Sequence, residues 1–155
     1  MTFLFDTSVL VSALLKGHQY HEKTATWLLA AHTREIDMFV SAHTIAELYA
    51  TLTRIPKGVN VSPAQAWTLI ETNILNHGKI RSLNARQYAR LIKRLSSDGL
   101  IGGVVYDAVI LEIARLNAMD GVLTLNESHF RRIWPEAAER ILSPLTTPPA
   151  TRNAH

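Results

Sequence analysis

Short apolar runs and longer amphipathic segments alternate along the chain. Residues 3–5 form a continuous apolar run, typical of a strand buried on both faces of a parallel sheet. The run ends in Asp6-Thr7-Ser8, residue types that cap the free amides of a first helical turn. An apolar helix is predicted over residues 9–15, ending at Lys16 with Gly17 as its C-terminal cap. The chain therefore opens with a strand that leads directly into a helix.

The same alternation continues through most of the sequence. Apolar positions at helical spacing predict helices over 20–32, 44–53, 62–75, 106–118 and 130–134, and a further basic helix that opens at Asn84. Apolar runs predict strands over 36–40, 80–83, 122–125 and 140–142. Breaks are expected at Arg54-Ile55-Pro56, at 99–103 and at Asp120-Gly121. This order predicts a three-layer α/β/α sandwich with a mainly parallel central sheet.

The length of 155 residues is typical of one domain. We find no internal repeat and no linker, so a single domain over 1–143 is expected. From Pro144 onward, prolines and small polar residues predict a loose C-terminal tail over 144–155.

Composition narrows the classes of function. The absence of cysteine excludes disulfides, thiolate zinc sites and cysteine nucleophiles, and the seven histidines show no compact zinc spacing. No run of about eighteen uncharged apolar residues occurs, so no membrane span is expected. The apolar N-terminus lacks a basic leader region, which favours a cytoplasmic protein.

Basic residues slightly outnumber acidic ones. The formal charge is +3 and the pI is about 9.4. Several cations lie close together in sequence: Arg81, Arg86, Arg90, Lys93, Arg94, Arg131 and Arg132. Such a cluster would attract a phosphate backbone if it lay next to a site. A solvated helix face explains the same pattern.

Acidic residues recur near the predicted carboxyl ends of the strands. Asp6 follows the first strand, Glu47 lies one turn into the helix after the second, and Asp107 lies early in a later helix. Asn126 and Glu127 lie just past the strand at 122–125. Ligands of open α/β sheets bind at this end, and clustered carboxylates favour hard cations such as Mg²⁺ or Mn²⁺.

Each acid also has a purely structural interpretation. Asp6 is suited to cap the following helix. Thr44-Ile45-Ala46-Glu47 matches a capping box, in which the glutamate reaches back to its own helix start. Asp107 is favoured by the dipole at a helix N-terminus. Only the shared placement of the three acids favours a common site.

Four motifs resemble those of PIN-domain ribonucleases, in particular the VapC-type toxins of bacterial toxin–antitoxin pairs. The resemblance spans about residues 1–142, and its motifs are Asp6-Thr7-Ser8, Ala46-Glu47-Leu48, Tyr106-Asp107-Ala108 and the segment 123–130. It implies a Mg²⁺- or Mn²⁺-dependent endoribonuclease that cleaves a phosphodiester by metal-activated water. It also implies a homodimer, a cognate antitoxin, and Asp6, Glu47 and Asp107 as the catalytic metal carboxylates. Thr7 and Ser8 would then hydrogen-bond a ligand or a water.

The sequence departs from the family at the fourth acidic position. Many members carry an acid near the end of the threonine-containing strand, where this chain reads Asn126-Glu127-Ser128-His129. Asn126 is a candidate for a further metal ligand through its carbonyl or a water, and His129 is a candidate phosphate contact. Glu127 and Asp120 are the alternatives for a fourth acid. Three carboxylates are enough to bind one ion. The sequence does not decide whether a second metal ion binds.

Two further questions remain open on sequence alone. Trp27, Leu28, Trp67 and Ile70 either line a groove for the antitoxin's helix or belong to the core. The competing functions are a structure-specific nuclease acting on other nucleic acids, and a non-catalytic binding module whose acids are helix caps.

Overall fold

A five-stranded, all-parallel sheet forms the centre of the protein. The computed structural model describes residues 1–54 and 61–149. The strands are β1 (Thr2–Phe5), β2 (Asp37–Ser41), β3 (Lys79–Arg81), β4 (Gly121–Leu123) and β5 (Ile141–Leu142). Their order in the sheet is β3-β2-β1-β4-β5, and every neighbouring pair is parallel. The predicted α/β class and parallel sheet are confirmed.

Helices connect the strands and cover both faces of the sheet. They are α1 (Thr7–Leu14), α2 (His21–His32), α3 (Ala42–Thr53), α4 (Pro63–Ile70), α5 (Ala85–Ser97), α6 (Val104–Leu116) and α7 (Glu127–Ile133). A π-helical turn, Glu71–Leu75, extends α4, and a 3₁₀ segment, Pro135–Arg140, precedes β5. The predicted helix over 62–75 is therefore present, with its last turn widened.

Alternate side chains of the strands divide the apolar residues into two cores. Phe3 and Phe5 of β1 belong to one core, together with residues of α1, α2, α3 and α4. Leu4, between them, belongs to the other core, with residues of α5, α6 and α7. This division follows from the two-residue period of a strand, and it produces the predicted three layers.

Side-chain capping marks the starts of three described α-helices, α3, α4 and α5. Ser62 with Gln65, and Asn84 with Gln87, form reciprocal capping boxes at the predicted starts of α4 and α5. At α1 the predicted start at Asp6-Thr7-Ser8 is correct, since the helix begins at Thr7, whereas the predicted end is wrong, because Leu15 and not Gly17 is the C-terminal cap.

Gly121 allows β4 to lie close to its neighbours. A Cβ at this position would lie 2.9 Å from Leu142 Cδ1 and 3.1 Å from Phe3 Cδ1, so a larger side chain would push the strands apart. Gly121 is the first residue of β4. The sequence had suggested a turn at this position.

The four residues considered for a partner groove do not form one. Trp27, Leu28 and Ile70 are buried in the first core, and only Trp67 is exposed. Trp27 packs edge-on against Phe3, with ring centroids 5.4 Å apart. The core interpretation is correct for three of the four.

The chain beyond β5 packs against the domain, because Pro144 is buried and Thr146 is hydrogen-bonded to a core residue. The indole Nε1 of Trp27 donates a hydrogen bond of 2.8 Å to the carbonyl oxygen of Thr146. The rest of the predicted tail, from 150 onward, and the predicted break at Ile55-Pro56 lie outside the described residues. Among the described helices, none has the length and apolar character to cross a membrane.

Candidate active site

Three carboxylates from distant parts of the sequence line one cleft at the carboxyl end of the sheet. Asp6 follows β1 directly, Glu47 lies in the second turn of α3, and Asp107 lies in the first turn of α6. The cleft is lined by Asp6, Thr7, Ser8, Val11, His18, Gln19, Tyr20, Glu47, Thr51, Asp107, Leu125 and Asn126. The topology accounts for this convergence, because β1 lies between β2 and β4 and all their carboxyl ends share one edge.

Asp6 is the most deeply buried of the three acids. Its residue surface is 5% exposed. Ser8 Oγ and Thr124 Oγ1 both donate to its Oδ2, at 2.7 and 2.9 Å. Although Asp6 occupies the N-terminal cap position of α1, its side chain makes no capping hydrogen bond. The capping interpretation of this residue is therefore wrong, since hydroxyl groups hold the carboxylate instead.

Thr124 is a site residue that the sequence analysis did not assign. It is fully buried just after β4, and its Oγ1 accepts a hydrogen bond of 3.0 Å from the amide of Asn126. Ser8 plays a parallel part, because its Oγ accepts from the amide of Leu125 at 3.1 Å. Each hydroxyl thus links a backbone amide to the same carboxylate oxygen. The signal in the sequence was a threonine at the end of an apolar strand.

Glu47 is held by Thr7 across the cleft. Thr7 Oγ1 donates to Glu47 Oε2 at 2.7 Å. The cap of α3 is Ser41, whose Oγ accepts from the amide of Thr44 at 2.9 Å, so the helix starts before the predicted capping box. The capping-box interpretation of Glu47 is wrong, and its carboxylate is directed to the cleft.

Burial and the charge of neighbouring acids raise the pKa of Asp107 and of Asp6. Burial above all, together with the charges of Asp6 and Glu47, raises the pKa of Asp107 to about 6, against the opposing effect of His129. Burial likewise raises the pKa of Asp6, against the effect of its hydrogen bonds from Ser8 and Thr124. These are the conditions in which a bound cation would stabilise the ionised carboxylates.

The chemistry of the donors fits a hard divalent cation. All three are carboxylates facing one cleft, and oxygen ligands favour Mg²⁺ or Mn²⁺. Within residues 1–54 and 61–149, no group of three or more His, Cys, Asp or Glu side chains already has metal-ligand spacing. Bringing these three carboxylates onto one ion therefore requires some side-chain rotation.

The candidates for a fourth acid are separated by the structure. Asp120 lies at the opposite end of the sheet, where its Oδ2 accepts from the amide of Thr2 at 2.7 Å, so it is excluded from the cleft. Glu127 is paired with Arg131 at 3.0 Å. Asn126 lines the cleft, and the effect of His129 on the pKa of Asp107 places that histidine near the acids. Of these four candidates, Asn126 is the one that lines the cleft, and the filling of the fourth corner stays a prediction.

Part of the predicted basic cluster takes part in structural contacts. Arg94 pairs with the buried Glu112 of α6 at 3.4 Å. Arg131 donates to the carbonyl oxygen of Ile141 at 3.0 Å, besides pairing with Glu127. Both arginines are about half exposed, as a solvated helix face predicts, but each already has an acidic partner.

Comparison with known proteins places this fold and site in a family. A model of the PIN domain matches residues 3–134. The chain therefore belongs to the PIN-domain family. It is similar to Ribonuclease VapC27 of Mycobacterium tuberculosis, with 30% identity over 105 residues that make up 68% of this chain and 71% of that protein.

Solved structures show the same fold. The VapBC2 structure from Rickettsia felis, bound to a DNA fragment from their promoter, matches with a TM-score of 0.64 and 21% identity, covering 92% of this chain and 98% of that chain. VapC20 of Mycobacterium tuberculosis, described as a Sarcin-Ricin loop cleaving toxin, matches with a TM-score of 0.59 and 13% identity, covering 77% and 86%. At these identities the likeness shows the fold alone.

Proposed function

We propose that this protein is a Mg²⁺- or Mn²⁺-dependent endoribonuclease and the toxin of a toxin–antitoxin pair. The observation that carries the proposal is one cleft lined by Asp6, Glu47 and Asp107, with the pKa of Asp107 raised to about 6. The similarity to Ribonuclease VapC27 supports RNA as the substrate.

In this proposal the three carboxylates hold the cation. When bound, the cation would supply a water of lowered pKa as nucleophile and would stabilise negative charge on the scissile phosphate. Asp6, Glu47 and Asp107 offset the charge of the ion and fix its place at the edge of the sheet.

The neighbouring hydroxyls orient the carboxylates. Thr7 fixes one oxygen of Glu47, while Ser8 and Thr124 fix Oδ2 of Asp6. Such supporting contacts limit rotation of metal ligands and affect metal affinity. At the open side of the cleft, Asn126 would add a carbonyl ligand or bind a coordinated water, and His129 would contact the phosphate.

Cleavage of single-stranded RNA by the purified, antitoxin-free protein tests the proposal. Cleavage is expected with Mg²⁺ or Mn²⁺ and is abolished by EDTA. Asp107→Asn should lower kcat/KM by about 100-fold or more, because metal chemistry contributes several kcal/mol to the rate. Asp37→Asn is the matched control, since it removes the same charge from an exposed ion pair at the other end of the sheet.

The outcomes separate this proposal from the other functions. If folded protein leaves the RNA intact in both Mg²⁺ and Mn²⁺, the proposed ribonuclease activity is wrong. Preferential cleavage of flaps over single strands and hairpins would favour a structure-specific nuclease. If Mn²⁺ neither binds nor raises the melting temperature, the acids are structural and a binding module remains.

An apolar groove supports the antitoxin partner. It lies between the end of α1 and the face of α4, and its described apolar lining is Leu14, Leu15, Val61, Ala64 and Leu69. A helix laid into such a groove is a common mode of recognition. The VapBC2 structure shows that a protein of this fold is found in a toxin–antitoxin complex. Inhibition of RNA cleavage by the purified cognate antitoxin tests the partner, and sedimentation tests the proposed homodimer.

A further inference from the structure

Two aromatic rings from different helices stack beside the carboxylate cleft. The imidazole of His43, in the first turn of α3, lies parallel to the ring of Tyr106, in the first turn of α6. Their centroids are 4.7 Å apart and their planes differ by 7°. We refer to this pair as the His43–Tyr106 stack. It joins the two helices that carry Glu47 and Asp107.

The stack is both next to the acids and open to solvent. His43 Nε2 lies 4.0 Å from Glu47 Oε2, and Tyr106 immediately precedes Asp107 in the chain. Tyr106 is 50% exposed and the His43 side chain is 32% exposed. Among the described residues, His43 is the aromatic neighbour that stacks on Tyr106, and half of the Tyr106 surface stays open to solvent.

We propose that the His43–Tyr106 stack is a platform for one unpaired nucleobase of the RNA, next to the phosphate that is cut. The proposal rests on the proposed function, and it specifies a substrate class, namely RNA with an unstacked base at the cleavage site. A base laid on Tyr106 would continue the stack that His43 begins, since every base offers a π-face. Bases inside a duplex do not present that face, whereas loops and single strands do.

The nearness of the platform to the acids gives it a role in positioning the substrate. A nucleotide whose base rests on Tyr106 has its phosphate in the region of Glu47 and Asp107, the residues adjacent to the two stacked rings. Stacking is tolerant of base identity, so the platform selects for an unpaired base and not for a particular sequence.

Tyr106→Leu and Tyr106→Phe separate the ring from the rest of the side chain. Leucine keeps the apolar volume and the helix propensity but removes the ring, whereas phenylalanine keeps the ring and removes only the hydroxyl. Tyr49→Leu is the matched control, because Tyr49 is a similarly exposed tyrosine on α3, 42% exposed and outside the stack. Melting temperatures of all three variants establish that they are folded.

The kinetic result expected is a change in binding and not in chemistry. Loss of one base–aromatic contact should raise KM for single-stranded RNA by roughly 5- to 100-fold in Tyr106→Leu, with kcat nearly unchanged. Tyr106→Phe and Tyr49→Leu should behave like the wild type. An unchanged KM in Tyr106→Leu, or a loss confined to kcat, would overturn the platform, the latter by showing that the ring only positions the carboxylates.

A binding measurement keeps the test independent of cleavage. In the Asp107→Asn background, single-stranded RNA carrying 2-aminopurine at successive positions should show quenching at one position, and Tyr106→Leu should abolish it. If the wild type does not cleave RNA but this quenching is present, the proposed catalysis fails and the platform stands. If RNA is cleaved and no position shows quenching that depends on Tyr106, the platform fails and the catalysis stands.

Discussion

At each end of the sheet an aspartate accepts hydrogen bonds from a threonine, but the two aspartates differ in their surroundings and in their pKa values. At the amino end, Asp120 Oδ2 accepts hydrogen bonds from the amide and the hydroxyl of Thr2, at 2.7 and 3.1 Å. The hydrogen bond from the amide is the main cause that lowers the pKa of Asp120. At the carboxyl end, Asp6 Oδ2 accepts from the hydroxyls of Thr124 and Ser8, yet burial raises the pKa of Asp6.

The surroundings account for the difference. Asp120 is exposed, and the positive charges of the N-terminus and Arg140 lower its pKa. Burial, and then the charge of Glu47, raise the pKa of Asp6, and the charge of Asp6 in turn raises the pKa of Asp107. The hydrogen bonds of Asp120 join the start of β1 to β4. Asp6 instead places a carboxylate in the cleft, where a bound cation would stabilise its ionised form. An aspartate at a strand end is thus structural or functional according to its neighbours.

The same substitution should lower activity at the carboxyl end of the sheet and leave it unchanged at the amino end. Thr124→Val removes the hydroxyl that holds Asp6 and the acceptor for the Asn126 amide, and we expect a 10- to 100-fold loss of kcat/KM on RNA, on the order found for supporting contacts of metal ligands. Thr2→Val removes the corresponding hydroxyl from Asp120 and should leave kcat/KM unchanged. Initial rates in saturating Mn²⁺ provide the comparison.

Thr124→Ser is the control for this pair. It keeps the hydroxyl, so activity should largely return, while the melting temperatures of the variants separate unfolding from a loss of function. Equal effects of Thr124→Val and Thr2→Val on kcat/KM would show that the two ends do not differ as described.

The raised pKa of Asp107 should make the metal-free protein depend on pH in a specific direction. Its folded-state pKa of about 6 lies above the ordinary value of 3.8, so folding favours the protonated acid. This contribution is full below pH 3.8 and is lost as the pH rises through about 6. In EDTA, the melting temperature of the wild type minus that of Asp107→Asn should fall over this window.

Mn²⁺ should reverse the loss above pH 6, since it binds the ionised carboxylate. Asp107→Asn should show a smaller Mn²⁺-dependent rise in melting temperature. A difference curve that is flat with pH, with no response to Mn²⁺, would argue against the electrostatics described for the cleft.

A histidine pair at the amino end should give the smallest effect, with the opposite sign. The rings of His32 and His77 stack with centroids 4.0 Å apart. Partial desolvation, then the charges of His32 and Arg34, lower the pKa of His77 below its ordinary value of 6.5. The contribution of His77 is therefore present above pH 6.5 and lost as the pH falls through its folded-state pKa. His77→Gln should slightly flatten the fall of melting temperature in acid, and parallel curves would contradict this.

The fold could be predicted because short-range sequence patterns specify its helices and strands. The apolar run at 3–5, the capping pairs Ser62–Gln65 and Asn84–Gln87, and the strand–helix alternation are short-range features. Errors arose where two local signals competed. Ser41 and Thr44 are both capping residues, and only the end of β2 selects Ser41.

The acids of the candidate site and the neighbouring Thr7 and Ser8 could be predicted from the sequence, whereas Thr124 could not. Asp6, Glu47 and Asp107 stand out as recurring acids at predicted strand ends. Thr124 does not stand out, because threonine is common in strands whether or not they lead into a functional site. Its role depends on Asp6, 118 positions away.

The sequence by itself determined the alternation of elements, the parallel sheet and the acids that follow its strands, because these depend on residues near one another in the chain. Only the tertiary structure decided that Asp6 belongs to the cleft and Asp120 to the opposite edge, and that His43 meets Tyr106. The physical reason is the order of the strands, which places β1 between β2 and β4 and so decides which distant side chains share one end of the sheet.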